Sequence, residues 1–92
     1  MAVVFIPTIL RKFAGGRTTV QVEAATVGEV IDKLEQEYPG IRERLVNPDE
    51  EDRLRPGLAT FVDGETSTEG LRRKLTPNAE VHFLPAIGGG AV

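Results

Sequence analysis

The residues that could do chemistry lie together near the end of the 92-residue chain. An apolar, β-type segment, Val81-His82-Phe83-Leu84, runs through Pro85-Ala86-Ile87 into Gly88-Gly89-Gly90, and Ala91-Val92 follow. Glycine lacks a Cβ, so a run of it can thread a narrow channel and bring a glycine carboxyl against reactive groups on another protein. A Gly-Gly carboxylate can therefore be the working part of a chain. Ala91 complicates this, because it puts an amide bond where a free carboxylate on Gly90 would be needed.

Few other residues offer chemistry. The chain has no cysteine, which excludes disulfides, thiolate metal sites and a cysteine nucleophile. His82 is the only histidine; alternation turns it away from Val81 and Phe83, and no carboxylate or hydroxyl stands at catalytic spacing from it, so it reads as a surface residue and not a base. Gly15-Gly16 lacks the Lys-Ser/Thr and the following helix of a phosphate loop and reads as a hairpin tip. Glu29, Asp32 and Glu35 read as a solvated helix face with no fixed ligand set for a metal. The expectation is a protein with no bound cofactor, no metal and no catalytic residues of its own.

The net charge of −3 argues against nucleic acid or an anionic membrane as partner. Asp49-Glu50-Glu51-Asp52 reads as a solvated loop, with an edge for a basic partner as the other reading. Apolar residues make up 40% and charged residues 27% of the chain, the balance of a single globular domain. No apolar run is long enough to span a bilayer, and Met1-Ala2-Val3-Val4-Phe5-Ile6 lacks the basic n-region and cleavage-type site of a signal peptide. A cytoplasmic monomer is expected.

The elements that must position the tail follow from periodicity. Val3–Ile6 forms a short strand ended by Pro7. Thr18–Glu23 alternates with Val20 and Val22 on one face and should pair with it as an antiparallel hairpin through a long connection. Thr26-Val27-Gly28-Glu29 is a capping box in which the Thr26 hydroxyl accepts from the Glu29 N–H and the Glu29 carboxylate reaches back to the Thr26 N–H. Behind it Val27, Val30, Ile31, Leu34 and Tyr38 fall at helical spacing until Pro39-Gly40. Residues 41–46 form a short helical turn. Leu58–Val62 is a third strand, closed by the type I′ dipeptide Asp63-Gly64; Leu71 and Leu75 pin an irregular stretch to the core; Pro77-Asn78 makes a turn; and 81–84 is the last strand. The fold class is α+β, a mixed sheet with one main helix on one face, in the order β-β-α-β-β. Domain bounds are 1–87, with 88–92 as a glycine tail bearing a two-residue extension.

On alternation Leu58 and Val62 point inward while Ala59 and Phe61 point outward; Val81 and Phe83 point inward while His82 and Leu84 point outward. Phe61, His82 and Leu84 are thus the expected partner-docking residues beside the glycine arm.

This order of elements ending in Leu84-Pro85-Ala86-Ile87-Gly88-Gly89-Gly90 resembles the ubiquitin-like β-grasp sulfur carriers of the MoaD/ThiS family. Ile6-Pro7-Thr8-Ile9-Leu10-Arg11, Gly15-Gly16 and the stretch from Thr26 to Glu35 look like that family, and Tyr38-Pro39-Gly40-Ile41-Arg42-Glu43-Arg44-Leu45 looks like carriers of the CysO type. The resemblance implies a cycle. An E1-like (MoeB/ThiF-type) enzyme uses ATP to adenylate the terminal glycine carboxylate, and sulfide or a persulfide displaces AMP. The resulting thiocarboxylate passes its sulfur to a downstream sulfur-accepting enzyme of cysteine, molybdopterin or thiazole synthesis. Aligned on the family's tail, the adenylation and thiocarboxylate site is Gly90, and Gly88 and Gly89 form the arm. Ala91 and Val92 would then be removed by cleavage after Gly90 by a JAMM-type metalloprotease. The same features fit two alternatives: a ubiquitin-like protein modifier, and a MoaD-like small subunit of molybdopterin synthase.

Overall fold

The computed structural model describes residues 1–85; the expected domain boundary after Ile87, the glycines Gly88, Gly89 and Gly90, and Ala91-Val92 lie outside the described residues. Five strands form one sheet: β1 Ala2–Phe5, β2 Thr19–Val22, β3 Leu58–Val62, β4 Glu65–Ser67 and β5 Glu80–Pro85. Their spatial order is β2-β1-β5-β3-β4. The last strand is therefore the central one, parallel to β1 and antiparallel to β3. The hairpin β1–β2 is antiparallel, as expected, with Val4 opposite Val20.

One face of this sheet is closed by α1, Val27–Glu37, and α2, Ile41–Leu45. Val4, Val62, Val81 and Phe83 from the sheet and Val27, Val30, Ile31 and Leu34 from α1 are all at most 1% exposed. Each such side chain contributes about 1.5–3 kcal/mol relative to its solvated state. The inward set matches the period-2 and period-3.6 patterns of the sequence. Leu71 is buried and Leu75 packs against the same core.

Three local features depart from the sequence reading. The connection after β1 is not a loop but a 3-10 helix, Thr8–Ala14, with Leu10 and Ala14 buried; its Leu10 N–H donates to the Pro7 carbonyl at 2.9 Å. Two buried residues do not make an amphipathic stripe, so periodicity misses it. A fifth strand, β4, extends the expected four. Asp63 and Gly64 have φ of 51° and 85°, the positive values a type I′ turn requires, and β4 then pairs Glu65 with Val62. Glu65-Thr66-Ser67 carries no apolar residue, which hides an edge strand from any hydrophobic pattern. The capping box also differs. Thr26 Oγ1 does accept from the Glu29 N–H at 3.2 Å, but the Glu29 carboxylate accepts from the N–H of Ala25, not of Thr26, at 2.9 Å. Thr26 is held extended by a bridge to Lys74, through Leu75 N–H to Ala25 O and Val27 N–H to Arg73 O. That bridge presents the Ala25 N–H to the helix.

The elbow between the helices is organised by Glu35. Its carboxylate accepts from the backbone N–H groups of Gly40 at 3.0 Å and Arg42 at 2.9 Å, and Gly40 has φ of 101°, a conformation that favours glycine. Glu35, expected to be part of a solvated face, thus caps the start of α2. These contacts hold its carboxyl below the usual carboxylate range: the Gly40 N–H first, then the Arg42 N–H, against the opposing effect of burial, with the Arg42 charge adding.

Two predictions follow from this packing. A carboxyl whose folded pKa is lowered stabilises the fold fully above its unfolded pKa of about 4.3 and loses that contribution as pH falls through the lowered folded value. Glu35→Gln should therefore lower the urea midpoint at neutral pH, with the gap to the parent protein closing in acid. On the inner face, Thr60 is 1% exposed and its hydroxyl has no hydrogen-bond partner among the described residues. Thr60→Val should raise stability by about 1 kcal/mol in urea denaturation, because it removes an unsatisfied buried polar group.

Candidate functional site

Among the described residues no helix lies on the outer face of the sheet, and the composition of that face is set by alternation along the three middle strands. In β5, Val81 and Phe83 are buried while His82 is half-buried and Leu84 is 42% exposed. The register places His82 directly opposite Phe61 of β3 and beside Phe5 of β1. The Phe5 and His82 rings stack, with centroids 4.0 Å apart and planes 5° from parallel. Thr19 of β2 and Thr66 of β4 extend the same row to the two edges. An aromatic stripe Phe5–His82–Phe61 therefore crosses the middle of the open face, bordered by threonines. His82 Nε2 stands 3.9 Å from Glu80 Oε1, a pair that is ionic only with the imidazole protonated.

Of the three docking residues named from the sequence, Phe61 and His82 are thus neighbours, and both are half-buried against the sheet. Leu84 is set apart. It lies opposite Ala59, toward the chain's exit from the sheet, and lines an apolar pit of about 30 Å³ with Pro7, Ile9, Leu10, Arg44 and Leu58. Ile9 is 69% exposed. Sequence reading missed Phe5 and Ile9. Phe5 was recoverable, since Val4 and Ile6 are inward and Phe5 lies between them; its contact with His82 requires the parallel β1–β5 pairing, which no local pattern reveals. Ile9 depends on the unrecognised 3-10 helix.

Among the described residues the site offers surfaces: the aromatic stripe and the pit at Leu84. No group of three or more His, Cys, Asp or Glu among the described residues could hold a metal ion. No helix among them is long and apolar enough to cross a membrane. What the geometry provides is a central strand, held on both sides over Glu80–His82, whose last residue Pro85 pairs with Leu58 and whose chain continues in sequence toward the glycines.

A mixed sheet of this order, grasping one helix on one face, defines a ubiquitin-like β-grasp protein, and solved structures bear out that class. Mycobacterium tuberculosis CysO superposes with a TM-score of 0.87 at 36% identity, covering 94% of this chain and 99% of its own. A chain of the Amycolatopsis orientalis BexX/CysO complex gives 0.83 at 36% identity, with 98% and 100% covered. SAMP1 from Haloferax volcanii gives 0.73 at 25% identity, with 97% and 98% covered. In sequence, the sulfur carrier protein CysO of Mycobacterium tuberculosis is 38% identical over 89 residues, 95% of this chain and 96% of that protein. Residues 4–90 match the model of the ThiS family. The chain belongs to the ThiS family.

The two faces of β3 and β5 should respond differently to substitution. Phe61→Asp, on the open face, should leave the far-UV circular dichroism spectrum and cooperative unfolding intact. Phe83→Ala, on the face against α1, should cost about 3–5 kcal/mol. A collapsed spectrum for Phe61→Asp would place Phe61 in the core.

Proposed function

We propose that this protein is a sulfur carrier that works as a protein cosubstrate and not as a catalyst. The observation that carries the reading is the extent of the family match, which runs through the whole β-grasp domain and reaches residue 90. Gly90 is accordingly the reactive residue, and Gly88 and Gly89 supply an arm without side chains. The chemistry is that of an activated acyl group. A carboxylate oxygen of Gly90 attacks the α-phosphorus of ATP on an E1-like enzyme, and pyrophosphate leaves. Sulfide then attacks the acyl carbon, and AMP leaves with the bridging oxygen; where a persulfide attacks instead, the acyl disulfide it forms is cleaved by a thiol, which departs in a mixed disulfide. The product is a thiocarboxylate whose sulfur a downstream biosynthetic enzyme accepts; similarity to CysO points to cysteine synthesis as the destination.

None of these steps asks the carrier for an acid or base. They ask it to dock and to deliver a carboxylate. The stripe formed by Phe61, His82 and Phe5, with Leu84 nearer the tail, is the surface that would meet the activating enzyme. In the chain as given, the Gly90 carbonyl is an amide to Ala91, and an amide lacks the oxygen anion that attacks ATP. Removal of Ala91-Val92, by a JAMM-type zinc protease in this reading, is therefore the activating step. A second reading, a ubiquitin-like modifier joined to lysines through Gly90, shares the adenylation and is favoured by the likeness to SAMP1, a small archaeal modifier protein.

The test compares the full-length chain with a form ending at Gly90. With the E1-like enzyme, ATP and sulfide, the Gly90 form should gain the mass of one oxygen replaced by sulfur, and the full-length form should be unchanged by intact mass spectrometry. Equal conversion of both would refute the precursor step. Covalent adducts on lysines of other proteins, without thiocarboxylate, would favour the modifier.

A further inference from the structure

A second surface lies around the corner from the aromatic stripe, where the first 3-10 helix meets α2. The apolar pit at Leu84 opens into a groove of about 470 Å³, and the two share Ile9, Leu10, Arg44 and Leu58. The floor is apolar, adding Phe13, Pro56 and Gly57. Its charges are all of one sign. Lys12, Arg44 and Arg55 line it and no carboxylate does, although the chain as a whole carries 14 acidic residues against 11 Lys and Arg.

Two features show that these cations are held ready for a partner. Lys12 Nζ and the Arg44 guanidinium both sit over the Phe13 ring, at 5.4 and 4.9 Å from its centroid, and Arg55 Nε donates to the Glu43 carbonyl at 2.7 Å. These contacts restrain the side chains at the groove, which lowers the ordering cost of association. Second, Lys12, Arg44 and Arg55 make no ion pair among the described residues, whereas Arg42, Arg53 and Arg73 do. Like charges gathered around an apolar floor repel one another when unoccupied, and an anionic occupant relieves that repulsion.

We propose that this groove docks a segment of a partner protein that is both acidic and apolar, with apolar side chains laid against the exposed Ile9 and Leu84 and carboxylates against Lys12, Arg44 and Arg55. The apolar floor selects such a segment over a bare phosphate backbone. The groove adjoins the end of β5 at Leu84, and a partner seated here leaves the Phe5–His82–Phe61 stripe free for another contact. The inference does not depend on the sulfur chemistry of Gly90, and its failure would leave that reading standing.

The test is a titration of the full-length, isotope-labelled protein with a short peptide of alternating glutamate and leucine, followed by amide NMR. Shifts should centre on Ile9–Phe13, Arg44, Arg55–Leu58 and Leu84 and spare Phe61. Binding should weaken as salt rises from about 50 to about 500 mM, as solvent-facing charge pairs do. The triple substitution Lys12→Glu, Arg44→Glu, Arg55→Glu should weaken it by about tenfold or more, the sum expected of three such pairs. Ile9→Ser, at a position already exposed, should weaken it without altering the fold. Phe61→Asp should bind as the parent does. No shift at millimolar peptide, equal binding of a lysine–leucine peptide, shifts confined to the aromatic stripe, or equally tight binding of a single-stranded oligonucleotide would each overturn the proposal.

Discussion

The structure depends on one constraint above all: the last strand of the chain is the middle strand of the sheet. β5 donates and accepts hydrogen bonds along both edges, parallel to β1 on one side and antiparallel to β3 on the other. Its inward residues Val81 and Phe83 lie at the centre of the core. Over Glu80–His82 the strand cannot fray without opening both halves of the sheet, while Phe83–Pro85 are paired with β3 alone. Whatever follows Pro85 in sequence starts from the end of that pairing, with the aromatic stripe on one side and the basic groove on the other.

The same constraint explains how much of the molecule could be read from its residues. Elements whose burial is periodic were legible: α1 from Val27, Val30, Ile31 and Leu34, and the facing of Phe61 and His82 from the alternation of β3 and β5. The type I′ turn was legible because Asp63-Gly64 is a short-range conformational signal. What local pattern could not supply was which strands become neighbours. The parallel pairing of β1 with β5 joins residues nearly 80 positions apart, and it alone creates the Phe5–His82 stack. Elements whose burial is not periodic were also hidden. The 3-10 helix is fixed by Leu10 and Ala14, and β4 by backbone pairing alone.

Glu35 shows a related limit. On a helical wheel it belongs with Asp32 and Glu29 on the outward face, and a solvated carboxylate is the ordinary expectation there. Its actual partners are the Gly40 and Arg42 N–H groups beyond the helix end. They become reachable only because Gly40 turns the chain back with a positive φ. The consequence reaches the groove as well, since the elbow sets where α2 lies, and α2 carries Arg44.

Division of the surface is the last consequence of the sheet order. β5 is flanked by strands on both sides, so its outward side chains can contribute only to the open face. Leu84 is the exception: past the end of the pairing with β1 it meets the 3-10 helix that crosses from β1 to β2, and so belongs to the groove. A protein with two partners benefits from two surfaces that border the end of one strand. Here they differ in kind. The stripe is aromatic, a surface suited to contact by area and stacking. The groove is basic and recessed, a surface suited to contact by charge. Partners distinguished by such unlike chemistry need not compete for the same residues, even though both approach the same last strand.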